Sequence, residues 1–170
     1  MALIFLLLAW LAREQALSLG LADRARFQVG DLTATGLPDA SCDAAMSLDV
    51  LIFVPDKAAA ARECARILKA GGVLGLTTWE QSGYSERLRA EQCADYRSLL
   101  EAEGLSIEAY EEPPDWQRQQ RAWAEGLIAA ENDMAKEMEP ATAARFAAMA
   151  RGSLADMPLR RYIRISARKR

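Results

Sequence analysis

Asp31, Asp49 and Trp79 each close a short apolar run, and no histidine occurs anywhere in the 170 residues. A carboxylate accepts protons and hydrogen bonds, and an indole offers a flat apolar face. Without imidazole the chain has no Ser-His-Asp triad, no histidine-ligated zinc and no histidine general base. Any reaction here must run without imidazole. The pattern by itself singles out no catalytic residue. Cys42, Cys64 and Cys93 are odd in number and form no C-x-x-C pair, so no metal site is expected and free thiols in a reducing cytoplasm are.

The elements that must position these residues read as three successive strand–loop–helix units between Arg26 and Glu80. A strand over 26–29 is broken by Gly30-Asp31, and Gly36-Leu37-Pro38-Asp39 is turn chemistry. Residues 44–48 are apolar on both faces, as in a strand covered on both sides. Asp56 is placed to cap a helix over 57–69. Ala61, Cys64, Ala65 and Leu68 form its inner stripe, while Arg62, Glu63, Arg66 and Lys69 face water. Gly71-Gly72 supplies a left-handed cap and turns the chain into a strand over 73–79. This order predicts an α/β, Rossmann-like parallel sheet, whose ligands bind beyond the carboxyl ends of the strands.

Beyond Trp79 the pattern predicts a helix over 85–104 and a strand over 105–111. Asp115 caps a further helix to about residue 139, with Trp116, Gln120, Trp123, Leu127, Ala130 and Met134 as its stripe. Another helix over 140–151 is stopped by Gly152. The alternation over 161–168, with Ile163 and Ile165 on one face and Tyr162, Arg164 and Ser166 on the other, predicts a half-buried antiparallel strand. In front of all this lies a helix from about residue 2 to residue 19, with Gly20 as its stop. Its first half is apolar all round and is expected to be buried or bound to something.

An apolar fraction of 51% and a charged fraction of 26% suit one domain spanning 1–170, with an apolar helix over 1–20 and a helical insertion over 113–155. A net charge of −3 disfavours nucleic acid as a partner. The uncharged run 2–12 is too short to cross a bilayer and no basic residue precedes it, so a membrane role is disfavoured and a cytoplasmic location expected.

These residues resemble the class I S-adenosylmethionine-dependent methyltransferases, in the subfamily that modifies small molecules. FQVGDLTATGLPDASCDAAMSLDVLIFVPD is similar to that family's third and fourth strands with their loops, and ECARILKAGGVLGLTTWE to its fourth helix and fifth strand. LSIEAYEE and RRYIRISARKR, with a helical insertion between them, resemble its last two strands, the final one antiparallel. The resemblance implies S-adenosyl-L-methionine as cofactor and a small-molecule methyl acceptor. It implies that Asp31 and Leu32 receive the adenine and that Ser47, Leu48 and Asp49 lie beside the methionine part. It places Phe53 where relatives often carry histidine, and it puts Phe53, Trp79, Tyr84 and Trp116 on the acceptor side. The insertion carrying Trp116 and Trp123 covers the active site in that family, as a lid does.

The resemblance begins inside the helix that follows the family's second strand. The family's glycine-rich turn and its first two strands have no counterpart here, so the chain reads as N-terminally truncated, with impaired cofactor binding as the expectation. An alternative is a non-catalytic remnant that works as an interaction module, forming homo-oligomers through the apolar helix or a bare sheet edge. A peripheral membrane protein is the weakest reading, because the first twelve residues carry no positive charge.

Overall fold

Gly20, at φ 67°, ends the first helix by leaving the right-handed region. Its N–H donates to Leu17 O at 3.1 Å and the Leu21 N–H donates to Ala16 O at 2.8 Å, which is a Schellman closure. The computed structural model describes residues 2–86 and 95–170, with side chains from residue 9 onward. The chain divides into two compact units, residues 1–36 and 37–170.

In the first unit, α1 spans Ala2–Ser18, as its helix propensity and glycine stop predict. Its burial is not as expected where side chains are described, because Trp10 is 54% exposed and Leu11 47%. The Arg13 guanidinium donates to Phe27 O through Nε at 3.0 Å and Nη2 at 2.6 Å. The strand expected over 26–29 does not form. A strand needs a neighbour to take its N–H and C=O groups, and here the backbone pairs only as an isolated bridge between Asp31 and Ala34.

The second unit is built on a sheet of order β1-β2-β4-β3. β1 is Cys42–Leu48, β2 Leu68–Gln81, β3 Leu105–Glu111 and β4 Arg160–Lys169. β1 and β2 are parallel, and β4 runs antiparallel between β2 and β3. β1, β2 and β3 therefore share one direction and β4 alone reverses it, as the alternation over its residues predicts. Ile163, Ile165 and Ala167 of β4 are buried against Leu74 and Leu76 of β2 and Leu100 and Leu105. β1 corrects an expectation: Met46 and Leu48 stand 76% and 56% exposed rather than covered, and among the described residues β1 pairs with β2 alone, at the sheet's edge.

The helix α2, Lys57–Ile67, starts where Asp56 accepts the Ala59 N–H at 2.8 Å. Of its expected stripe Ala61, Ala65 and Leu68 are buried and Cys64 partly so, but burial extends to two charged residues outside the stripe. Glu63 and Lys57 are both 6% exposed. Glu63 is not in water because it pairs with Arg66, which also reaches Asp39 and Leu37 O. Gly71-Gly72 does not cap α2 either, because β2 has begun at Leu68. The pair forms a bulge: the register steps from Cys42↔Leu68 to Ala44↔Val73, and Gly71 takes φ 76° inside it.

Part of the helix expected over 85–104 lies outside the described residues. Residues 85 and 86 are not helical, and α3 is Tyr96–Ala102, capped by the Asp95 carboxylate at Arg97 N and Ser98 N. The helix expected from Asp115 to residue 139 breaks at Ala130 into α4, Trp116–Ala129, and α5, Glu131–Glu137. Asp115 pairs with Arg118 at 3.0 Å and makes no capping bond. The fully buried positions of α4 are Trp116 and Ala124, whereas Trp123 is 45% exposed. α6, Pro140–Asp156, runs on through Gly152 rather than stopping there, and buries Ala143, Ala147 and Ala150. Among the described residues no helix is long and apolar enough to cross a membrane.

Candidate functional site

Asp49 follows the last residue of β1 and adopts φ 55°, a left-handed conformation that Asp and Asn tolerate better than other side-chain-bearing residues. The turn is held on both sides. The Asp49 N–H donates to Thr77 O at 3.0 Å, and Asp49 Oδ1 accepts from Thr77 Oγ1 at 3.1 Å. Oδ2 accepts from the Tyr162 hydroxyl at 3.3 Å. Parallel pairing sets Leu48 against Thr77, and antiparallel pairing sets Trp79 against Tyr162. Burial raises the Tyr162 pKa, the Thr77 bond opposes the shift, and the nearby Asp49 charge adds to it. Tyr162 is thus a neutral donor at physiological pH, holding the carboxylate rather than competing with it.

Trp79 is the centre of an aromatic cluster. Its ring meets Trp116 edge-on at 5.4 Å and Tyr162 at 4.9 Å, tilted by 49°. The Arg160 guanidinium lies 4.2 Å from its centroid, a cation–π contact. Burial pulls the Arg160 pKa down and Asp156, 4% exposed, pulls it back up. Asp156 in turn accepts from Ser85 Oγ at 2.9 Å. Trp116 Nε1 donates to Glu112 Oε1 at 2.6 Å, which fixes that indole. One residue along β2, Glu80 is 1% exposed and accepts the Tyr96 N–H at 2.9 Å. It also accepts the Tyr110 hydroxyl and pairs with Arg161 at 2.7 Å.

Two cavities meet this cluster. A larger one of about 600 Å³ is lined by Asp49, Phe53, Trp79, Trp123, Asp156 and Arg160, among others. A smaller one of about 250 Å³ is lined by Asp49, Trp79, Trp116, Gln120, Trp123 and Tyr162, with Gln119. Asp49, Phe53 and Trp79 are therefore brought together in the first, and Asp49, Trp79 and Trp116 in the second. Tyr84 is 79% exposed and lines neither. Leu48 turns to a separate groove of about 410 Å³ with Met46 and Gly75. Among the described residues Ser47 Oγ is buried without a hydrogen-bond partner. Asp31 and Leu32 belong to the first unit. There Asp31 Oδ1 accepts from Thr33 N at 2.8 Å and Thr33 Oγ1 at 2.7 Å, bonds that lower its pKa. Leu32 is 40% exposed.

Sequence reasoning missed Tyr162, Arg160 and Asp156. The alternation of β4 places Tyr162 opposite Ile163, on the polar face, but only the register against β2 sets it beside Trp79. Asp156 and Arg160 lie beyond Gly152, the expected end of the helix, so no local signal marks them.

A family described as a methyltransferase domain matches residues 8–76. The 2-methyl-6-phytyl-1,4-hydroquinone methyltransferase of Synechocystis sp. is 40% identical over 57 residues, 34% of this chain and 18% of that protein. Among solved structures, the cyclase SpnF superposes with a TM-score of 0.77 at 27% identity, covering 95% of this chain and 62% of its own. The geranyl diphosphate C-methyltransferase from Streptomyces coelicolor A3(2), complexed with Mg2+, geranyl diphosphate and S-adenosyl-L-homocysteine, gives 0.68 at 18% identity, covering 95% and 60%. At that identity the likeness is one of fold. The chain spans about a fifth of the curated relative and under two thirds of each structural neighbour.

Proposed function

We propose, from the premise that the chain belongs to the S-adenosylmethionine-dependent methyltransferase family, that it serves methyl transfer to a small-molecule acceptor. The acceptor would lie in the indole-lined cavities beyond β1 and β2. The observation that carries this reading is the Asp49 carboxylate, held by Thr77 and Tyr162 at the mouth of cavities walled by Trp79, Trp116 and Trp123.

S-adenosylmethionine, when bound, supplies an electrophilic methyl group on a sulfonium. The residues present suit its polar methionine end. Ser47 Oγ is an orphaned buried hydroxyl at the carboxyl end of β1, and such a group costs stability unless something bonds it. Ser47 and Leu48 would hold that end. The chain's own work is then alignment, exclusion of water and proton handling. The indoles form an apolar wall around the acceptor. Asp49 takes a proton at its carboxylate, and the Tyr162 and Thr77 hydroxyls keep it aimed. Phe53, 65% exposed, stands at the rim of the larger cavity.

Calorimetric titration of the chain with S-adenosylhomocysteine tests the reading. Binding that Ser47→Ala weakens is the expected result. A folded chain that binds none refutes it. A second reading, the interaction module, is favoured by the exposed Met46 and Leu48 on the edge strand. It expects oligomers in light scattering that Met46→Lys disperses, and a monomer at all concentrations counts against it.

A further inference from the structure

Among the described residues no cationic side chain pairs with Asp49, although it is half-buried. Its recorded partners are the neutral hydroxyls of Thr77 and Tyr162. Removing a carboxylate from water without a counter-charge is unfavourable, and hydroxyl donors offset only part of that cost. The 250 Å³ cavity in front of it contains no Lys or Arg. Asp49 is its sole charged lining residue, and the rest are Trp79, Trp116, Trp123, Tyr162 and two glutamine carboxamides. Indole and phenol rings around a single carboxylate form a negative environment with apolar walls, which attracts a cation and repels an anion. The cluster already accepts one cation: the Arg160 guanidinium stacks on Trp79 at 4.2 Å, from a position that lines the larger cavity and not the smaller.

We propose that this smaller cavity is a subsite for an alkylammonium group, so that the methyl acceptor is an amine received through its cationic nitrogen. The inference rests on the cavities being the acceptor site. A neutral hydrocarbon acceptor would leave Asp49 desolvated and uncompensated, and a phosphate or carboxylate would meet it as a like charge. An ammonium satisfies it. Seated against Asp49, an ammonium with an N–H can pass its proton to the carboxylate, which leaves the nitrogen lone pair free.

The test uses the full chain and two probes of equal shape, choline and its neutral isostere 3,3-dimethylbutan-1-ol, titrated against tryptophan fluorescence. Saturable choline binding, with the alcohol at least about tenfold weaker, is expected. Asp49→Asn suits the same φ and is expected to bring choline down to the level of the alcohol, and the partly exposed Trp123→Leu to weaken choline several-fold. Equal binding of both probes, no binding of choline, or choline binding unchanged in Asp49→Asn would each overturn the proposal. S-adenosylhomocysteine calorimetry on the same samples separates the premise from the inference. Choline selectivity without S-adenosylhomocysteine binding would end the methyl-transfer reading and keep the cation subsite, and the opposite pair of results would do the reverse.

Discussion

Replacing Glu80 by alanine should destabilise the 37–170 unit by about 3–5 kcal/mol. The carboxylate is 1% exposed and joins four elements through three donors: the Tyr96 N–H of α3, the Tyr110 hydroxyl of β3 and the Arg161 guanidinium of β4, all reaching a residue of β2. Tyr96 stands fully buried at the first turn of α3, so its N–H has no water to turn to, and its loss of an acceptor costs about 1–3 kcal/mol. The half-buried Tyr110 hydroxyl adds about 1 kcal/mol, and the space left by the side chain about another. Arg161 contributes least, because its side chain is 49% exposed and regains hydration. Arg161→Ala alone should therefore cost less than Glu80→Ala, and the double variant should be no worse than Glu80→Ala. Urea unfolding followed by far-ultraviolet circular dichroism reads all three. A Glu80→Ala chain within about 1 kcal/mol of the parent, or strictly additive single and double variants, would refute the account of Glu80 as a shared acceptor.

Two further outcomes follow from the same unit. A Cβ at Gly72 would sit 2.9 Å from Lys69 O and 3.1 Å from Asp43 O, both backbone, while one at Gly75 meets nothing within 4 Å. Thermal melts should show Gly72→Ala losing about 2 kcal/mol and Gly75→Ala within about 0.5 kcal/mol of the parent. At alkaline pH, burial first and the bond to Glu80 second push the Tyr110 hydroxyl above its ordinary 10.0. The folded state thus keeps a proton that the unfolded state releases. That contribution is complete below the unfolded pKa and is lost as pH rises through it toward the folded one. Unfolding free energy should fall as pH rises above 10, with a shallower slope in Tyr110→Phe; equal slopes would count against the argument.

Local chemistry in the sequence located most elements of the larger unit. Asp56 caps α2, the apolar stripe of α2 is buried at Ala61 and Ala65, and Ile163 and Ile165 lie in the core of an antiparallel strand. The failures share a cause, which is that pairing and long-range ion pairs leave no local trace. Residues 26–29 have strand composition and no partner. Residues 44–48 have the apolar character of a central strand and sit at the edge. Gly71-Gly72 reads as a helix cap and is a bulge, because only the β1 register shows that β2 has already begun. Glu63 reads as solvated until Arg66 is seen bonded to it, and Gly152 reads as a stop although its cost inside a helix is only about 1 kcal/mol, which the buried alanines of α6 can offset.

The site divides along the same line. Asp49 and Trp79 are visible in the sequence because they close apolar runs, a feature within a few residues of each. What gives the Asp49 carboxylate its direction is Tyr162, 113 residues away and delivered by a strand that inserts between β2 and β3. The same insertion sets the Trp79 ring against Tyr162, while the turn before β4 lays Arg160 across that ring. One antiparallel strand therefore does three things: it joins β2 to β3, it holds the Asp49 carboxylate through Tyr162, and it sets Arg160 on Trp79. Arg160 lining the smaller cavity would neutralise Asp49 and favour an uncharged acceptor. Where it stands, stacked on Trp79, it shares the larger cavity with Asp49 and leaves Asp49 the one charged residue lining the smaller, which is the arrangement the proposed cation subsite rests on.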